Sequence, residues 1–198
     1  PMAIERHNLM EYDVVLSSSS AFAKGVITGP RTLHICYCHT PTRYLWTDTH
    51  SYVRELAYNR FIKHIIPFVL TNLRLWDQMT AHRVDHFIAN SRNVQERIQK
   101  YYRRDSTCIH PPIDIDRFSP SQRIDHYYLI GGRLVSYKRY DIAVHAFSKM
   151  GIPLVVFGEG PELERLRAMA KPNVQFIGRV SDEELAKLYA HAVAFLHP

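Results

Sequence analysis

The chain has 198 residues, 46% of them hydrophobic and 22% charged, which is enough apolar material for folded cores and excludes an extended disordered chain. A formal net charge of +6 favours anionic partners, a class that includes nucleotides, phospholipid headgroups and nucleic acid. Three cysteines, with Cys36 and Cys38 two positions apart, fit neither a disulfide framework nor the paired CxxC spacing of zinc sites, so a reducing, cytosolic setting is expected.

Residues Pro1 to Met10 are polar and carry no secretion signal. Tyr12–Ser18 and Leu33–Cys38 then read as buried strands, followed by a helical region from about His50 to Val84. Within it, Phe61–Trp76 is apolar but broken by Lys63, His64, Pro67 and Arg74, and it is shorter than the ~20 residues of a spanning helix. It reads as a crossover helix on the sheet, with a basic amphipathic helix touching anionic lipid as the alternative. Asp85–Asn90 is a third strand, Ser91 caps a helix running to about Tyr102, and Thr107–His110 is a fourth strand. Such alternation implies a mostly parallel sheet. Three prolines within Pro111–Pro120 mark a crossing segment, giving domains 1–120 and 121–198.

The βα rhythm then restarts. Tyr127–Arg133, Leu154–Phe157, Val174–Ile177 and Val193–Leu196 are strand candidates separated by amphipathic helices. The first helix groups Ile142, Ala143, Ala146, Phe147 and Met150 on one face and ends at Gly151; the second places Pro161 at its first position after Gly160. The third opens with Ser181 and Glu184 in capping-box spacing, with Leu185, Leu188, Tyr189 and Ala192 on its apolar side.

Three segments follow directly on strands and so project from one carboxyl edge, where open α/β sheets bind ligands: Arg133–Arg139, Gly158-Glu159-Gly160 and Gly178-Arg179-Val180. The first is the most informative. Gly131 and Gly132 permit close backbone approach, and Arg133, Lys138 and Arg139 are cations suited to phosphate oxygens. Gly160 and Ser181 also mark helix starts, where free amides attract anions. A phosphate-bearing ligand is the economical explanation.

Rival chemistries have less support. Leu163 stands where GxGxxG needs its third glycine, no phosphate-loop motif occurs, and Ser17–Ser20 lacks a glycine-flanked nucleophile. His34, Cys36 and Cys38 share a strand face, but three groups along one strand do not converge on a metal, so core packing is expected. Arg97, Lys100, Tyr101, Tyr102, Arg103 and Arg104 interleave cations and aromatics as nucleic-acid binders do, yet they end a helix, where cations complement the dipole.

Five ordered motifs carry a resemblance: Cys38-His39-Thr40-Pro41-Thr42-Arg43-Tyr44-Leu45-Trp46, Phe87–Ser91, Pro111–Asp114 with Arg117-Phe118, Gly132–Arg139, and Phe157–Pro161. In this order and spacing the chain resembles glycosyltransferase family 4 of the GT-B fold. The resemblance implies an α/β protein of two Rossmann-like parallel-sheet domains facing a cleft, both incomplete here. It implies a retaining transfer of sugar from a nucleotide-diphosphate donor to an acceptor, with no metal or other cofactor required. Arg133 and Lys138 match the family's clamp on the departing diphosphate, and His39 matches the histidine facing the transferred sugar. Gly132, Gly158, Glu159, Gly160, Arg179 and Val180 match the donor wall, and Thr40, Arg43 and Tyr44 the acceptor side.

The His39 and Tyr137 regions are similar to mannosyl-type members, which implies GDP-mannose, with UDP-sugars next. A lipid-linked saccharide of cell-surface polysaccharide would suit the basic charge and the Phe61–Trp76 segment. That acceptor places the protein in the cytoplasm with peripheral contact at the inner membrane face. Departures from the family pattern are the absent opening strand with its glycine-rich loop and the absent E-x7-E segment beyond His197-Pro198. An internal fragment, inactive by itself, is therefore expected. Its second domain is near the ~70–80 residues at which one core is marginal. The alternatives are a non-catalytic nucleotide-sugar-binding segment and a basic nucleic-acid binder.

Overall fold

The computed structural model describes residues 1–49 and 60–198, with side chains described outside 60–64. Two compact units result, Pro1–Pro112 and Ile113–Pro198. Residues 113–120, assigned above to the first domain, belong to the second. Arg117 Nη2 pairs with Asp182 Oδ2 at 2.7 Å and Phe118 packs edge-on against Tyr189, both on a helix of that unit.

In the first unit, β1 (Val14–Ser19), β2 (Leu33–Cys38), β3 (His86–Ala89) and β4 (Ser106–Cys108) form one parallel sheet in that order. Among the described residues its helices in chain order are α1 (Met2–Glu5), α2 (Arg43–Trp46), α3 (Arg60–Thr80) and α4 (Arg92–Tyr102). The predicted strand over Thr107–His110 begins one residue earlier and ends two earlier, because Phe87 pairs with Ser106 and Ala89 with Cys108. Of the helical region expected over 50–84, residues 50–59 lie outside the described residues.

Strand alternation turns His34, Cys36 and Cys38 to one buried face, where Phe87, Ala89, Val94, Ile98 and Tyr102 meet the two cysteines. Both cysteines are free, and burial pushes their thiols up, so they act as small apolar residues. Ser91 Oγ accepts from Val94 N and starts α4 as the sequence predicts. No helix among the described residues is long and apolar enough to cross a membrane.

His34 is a core residue with both nitrogens satisfied. Nδ1 donates to Arg83 O at 3.2 Å, and Ser17 Oγ lies 2.8 Å from Nε2. Burial pulls its pKa below the ordinary value near 6.5, opposed by the Arg83 carbonyl and Asp85. The unfolded chain therefore takes up this proton first as pH falls, so the stability His34 contributes is complete above ~6.5 and drains away below it. The urea midpoint of the wild type is expected to fall between pH 7.5 and 5.5 by more than that of His34→Gln. Equal slopes for the two would contradict this.

The second unit comprises β5 (Tyr128–Gly131), α5 (Tyr140–Met150), β6 (Leu154–Phe157), α6 (Leu163–Met169), β7 (Val174–Gly178), α7 (Asp182–His191) and β8 (Ala194–Phe195). Its parallel sheet has the order β7-β6-β5-β8. One core joins Ile130, Leu134, Val144, Leu154, Val156 and Leu166; a smaller one joins Leu129, Phe157 and Ala192, with Leu185, Leu188 and Tyr189 of α7 against it. Both sheet faces are thus covered, as parallel sheets require.

Local expectations divide here. Gly151 ends α5 in the left-handed region at φ 73°, and the Ser181–Glu184 capping box forms in full. Ile142 and Met150, placed on the buried face by sequence, are 51% and 54% exposed. The packed stripe is instead Tyr140, Ala143, Val144 and Phe147, and Ile142 lies about 100° around the helix from its nearest member. The predicted strand Tyr127–Arg133 shortens to Tyr128–Gly131, because Gly132 turns the chain at φ 125°.

Candidate active site

The strand order of the second unit reverses at β5. The chain steps outward from β5 to β6 and β7, then returns through α7 to lay β8 on the other side of β5. Carboxyl ends at such a reversal are where open sheets hold ligands. The turn leaving β5 at that point is Gly132–Arg139, the segment singled out from sequence.

Three turns lock together there. Gly132 N donates to Phe157 O (3.1 Å), Leu134 N to Glu159 O (2.8 Å), Glu162 N to Leu134 O (3.1 Å) and Gly158 N to Gly178 O (2.6 Å). Gly158 is required twice over, by its φ of 100° and because a Cβ would stand 1.9 Å from Gly132 O. A Cβ on Gly160 would lie 2.2 Å from Leu134 O. The sequence placed these turns on one edge; the structure makes them one interlocked backbone piece.

Electrostatics single out two of the three cations. Among the described residues, the side chains of Arg133 and Lys138 have no hydrogen-bond or ion-pair partner; Arg133 is exposed and Lys138 half-buried. A Cβ on Gly132 would sit 3.5 Å from Lys138 Nζ and 3.2 Å from Tyr140 OH, so the ammonium overhangs bare glycine backbone. Tyr140 OH in turn donates to Gly131 O at 3.0 Å. Arg139, the third expected cation, is withdrawn into a bidentate pair with Asp141 (3.0 and 3.1 Å) and holds that carboxyl below the usual range. Glu159 and Arg179 are exposed without side-chain partners among the described residues, and Val180 packs against the smaller core.

The two helix starts expected to attract anions do not serve that purpose. α6 begins at Leu163, and Pro161 lies in the turn before it, because the bonds from Glu162 N to Leu134 O and from Leu163 N to Gly160 O delay the helix. At α7 the capping box occupies the amides of Ser181 and Glu184, and Asp182, Glu183 and Glu184 fill the first turn with negative charge.

In the first unit, His39 is exposed at the carboxyl end of β2. Its amide donates to Ser19 O (2.8 Å), Ser18 Oγ lies 2.8 Å from its Nε2, and Tyr37 meets it edge-on. Thr40 Oγ1 accepts from Arg97 Nη1 at 3.3 Å. Arg43 is exposed but paired with Asp48, and Tyr44 is half-buried on α2. The aromatics of the basic run are used internally: Tyr101 stacks on Trp46 at 4.8 Å between centroids, and Tyr102 is buried. Arg104 donates to Ala81 O and Asp85 O.

Sequence reasoning missed Ser18 beside His39, Tyr140 beneath the glycine turn, and a buried network centred on Asp77. Only Asp77 had a visible signal, as the single acid of α3. Among the described residues, no three His, Cys, Asp or Glu side chains stand together as a metal cluster would.

Two Rossmann-like parallel sheets, one with a glycine-rich cationic turn at its reversal, define an α/β protein of GT-B type. The family profile "Glycosyltransferase Family 4" matches residues 2–117, and "Glycosyl transferases group 1" matches residues 113–198. The chain belongs to glycosyltransferase family 4. It is 29% identical over 133 residues to the D-rhamnosyltransferase WbpZ of Pseudomonas aeruginosa, covering 59% of this chain and 35% of that protein. It is 39% identical over 67 residues to a GDP-mannose-dependent alpha-mannosyltransferase of Corynebacterium glutamicum, covering 34% and 16%. The chain thus spans about a third or less of these curated relatives. Sucrose-phosphate synthase from Thermosynechococcus elongatus shares the fold with a TM-score of 0.65 at 14% identity, covering 93% of this chain and 49% of that one. Anabaena HepE, solved in complex with UDP and glucose, gives 0.55 at 12%, covering 94% and 74%.

Proposed function

We propose that the protein transfers a sugar from a nucleotide-diphosphate donor to a saccharide acceptor, with retention at the anomeric carbon and without a metal ion. One observation carries this reading: two cations without a hydrogen-bond or ion-pair partner among the described residues, Arg133 and Lys138, on a turn whose glycines expose backbone at the strand-order reversal. In this reading the pair neutralises the diphosphate as the glycosidic bond breaks, since charge that develops on a leaving group is best met by donors already in place. Gly158, Glu159, Gly160, Arg179 and Val180 wall the nucleoside. His39 faces the transferred sugar, and Thr40, Arg43 and Tyr44 address the acceptor.

GDP-mannose is the proposed donor, supported by the mannosyl-type motifs and by the name of the Corynebacterium relative. A lipid-linked saccharide is the proposed acceptor, supported by the outward apolar side chains of α3, where Ile65, Phe68 and Met79 are 60%, 74% and 65% exposed. Incubation of the full-length protein with radiolabelled GDP-mannose, GDP-rhamnose, UDP-glucose and UDP-N-acetylglucosamine is expected to give turnover with GDP-mannose first. Absence of turnover with all four would overturn the reading. Failure to co-sediment with phosphatidylglycerol vesicles would remove the membrane contact.

A further inference from the structure

Asp77 is fully buried in α3, and its carboxylate receives four donors from three other segments. Lys24 Nζ (2.6 Å) and Thr42 Oγ1 (2.8 Å) reach Oδ1; Trp46 Nε1 (2.7 Å) and Tyr102 OH (2.9 Å) reach Oδ2. Lys24 is itself 1% exposed and also donates to Thr80 Oγ1 at 3.3 Å. Burial and the Asp77 charge push the Tyr102 phenol far up, so it remains a donor at every physiological pH. Four donors fill a carboxylate's acceptor sites.

Net stability is a weak reason to keep such a cluster, since a buried ion pair competes poorly with apolar side chains of the same volume. Its geometry is more informative. Thr42 and Trp46 bracket α2, the segment that carries Arg43 and Tyr44. Thr42 is the N-cap of α2, where a threonine hydroxyl ordinarily bonds the helix's own amides; here it makes no cap bond and turns to Asp77 instead. α3 ties the same segment a second time through Arg74 Nε to Leu45 O at 2.8 Å. A helix of four residues has no cooperative stability of its own, so its orientation comes from these tertiary bonds.

We propose that Asp77, buried and bonded to Lys24 and Tyr102, is a positioning residue that fixes Thr42–Trp46 so that Arg43 and Tyr44 meet the acceptor in a single arrangement. This rests on the reading of α2 as acceptor-side. Thr42→Val keeps the shape and removes one donor; Thr42→Ser keeps the donor; Asp77→Asn removes the charge. Amide hydrogen exchange of the full-length protein is expected to quicken about tenfold at Leu45 and Thr47 in Thr42→Val, with Ile98 in α4 unchanged and Thr42→Ser like wild type. Asp77→Asn, which also loosens Tyr102 and leaves Lys24 buried without its counter-charge, is expected to quicken Leu45, Thr47 and Ile98 together. With GDP-mannose as donor and methyl α-mannoside as acceptor, Thr42→Val is expected to raise the acceptor KM about tenfold and leave the donor KM unchanged. In Thr42→Val, unchanged exchange at Leu45 and Thr47, or equal quickening throughout the first unit, overturns the positioning role. Local quickening with an unchanged acceptor KM overturns the acceptor assignment. An inactive wild type counts against the transferase reading alone, because the exchange measurement still decides the positioning.

Discussion

Lys138→Ala in the full-length protein is expected to lower turnover about 10²–10³-fold, the usual cost of removing one preorganised group that meets charge developing in the transition state. Its melting temperature is expected to stay within a degree or two, since the Lys138 side chain makes no hydrogen bond or ion pair among the described residues. The informative control is its neighbour. Arg139→Ala removes the same formal charge one residue away, but that charge is already matched by Asp141 through two hydrogen bonds. Its effect on turnover is expected to be at most a few-fold. Lys138→Arg should recover part of the loss, because charge returns while the planar fork replaces a compact ammonium that overhangs Gly132. Near-normal turnover in Lys138→Ala, or equal losses in both alanine variants, would show that proximity in sequence rather than an unpaired ammonium had been mistaken for a clamp.

That contrast shows what the sequence could and could not supply. Strands β2 and β6 were readable to the residue because each is a short apolar run bounded by polar or turn-forming residues. Gly151 and the Ser181–Glu184 box were readable because caps are local chemistry. The delayed start of α6 was not, since it follows from Leu134 O reaching Glu162 N across two turns. Asp77 stood out only as the lone acid of α3, and its role was unreadable for the same reason: its partners Lys24, Thr42, Trp46 and Tyr102 lie 53, 35, 31 and 25 residues away, beyond any periodic pattern. Of the candidate site, the sequence showed which residues leave strand ends; which cations remain unpaired depends on side-chain geometry that spacing does not encode.

Gly158→Ala is expected to destabilise the second unit by about 2–5 kcal/mol, combining the strain of a disfavoured backbone region with overpacking. At φ 100° an alanine is strained in any surroundings, and here its Cβ would also meet Gly132 O at 1.9 Å. Relief requires the 132–134 and 158–160 turns to separate, which breaks the bonds from Gly132 N to Phe157 O and from Leu134 N to Glu159 O. Gly151→Ala separates the two contributions. Gly151 also has a positive φ, 73°, but nothing lies within 4 Å of its Cβ position, so only the conformational cost of about 1 kcal/mol applies. Urea unfolding of the two variants should therefore differ by at least 1 kcal/mol, and GDP affinity should fall in Gly158→Ala while Gly151→Ala binds as the wild type does. Equal destabilisation by both would mean that the turns part without penalty. The 158–160 segment would then be a flexible loop rather than a rigid support for the Gly132 turn that Lys138 overhangs.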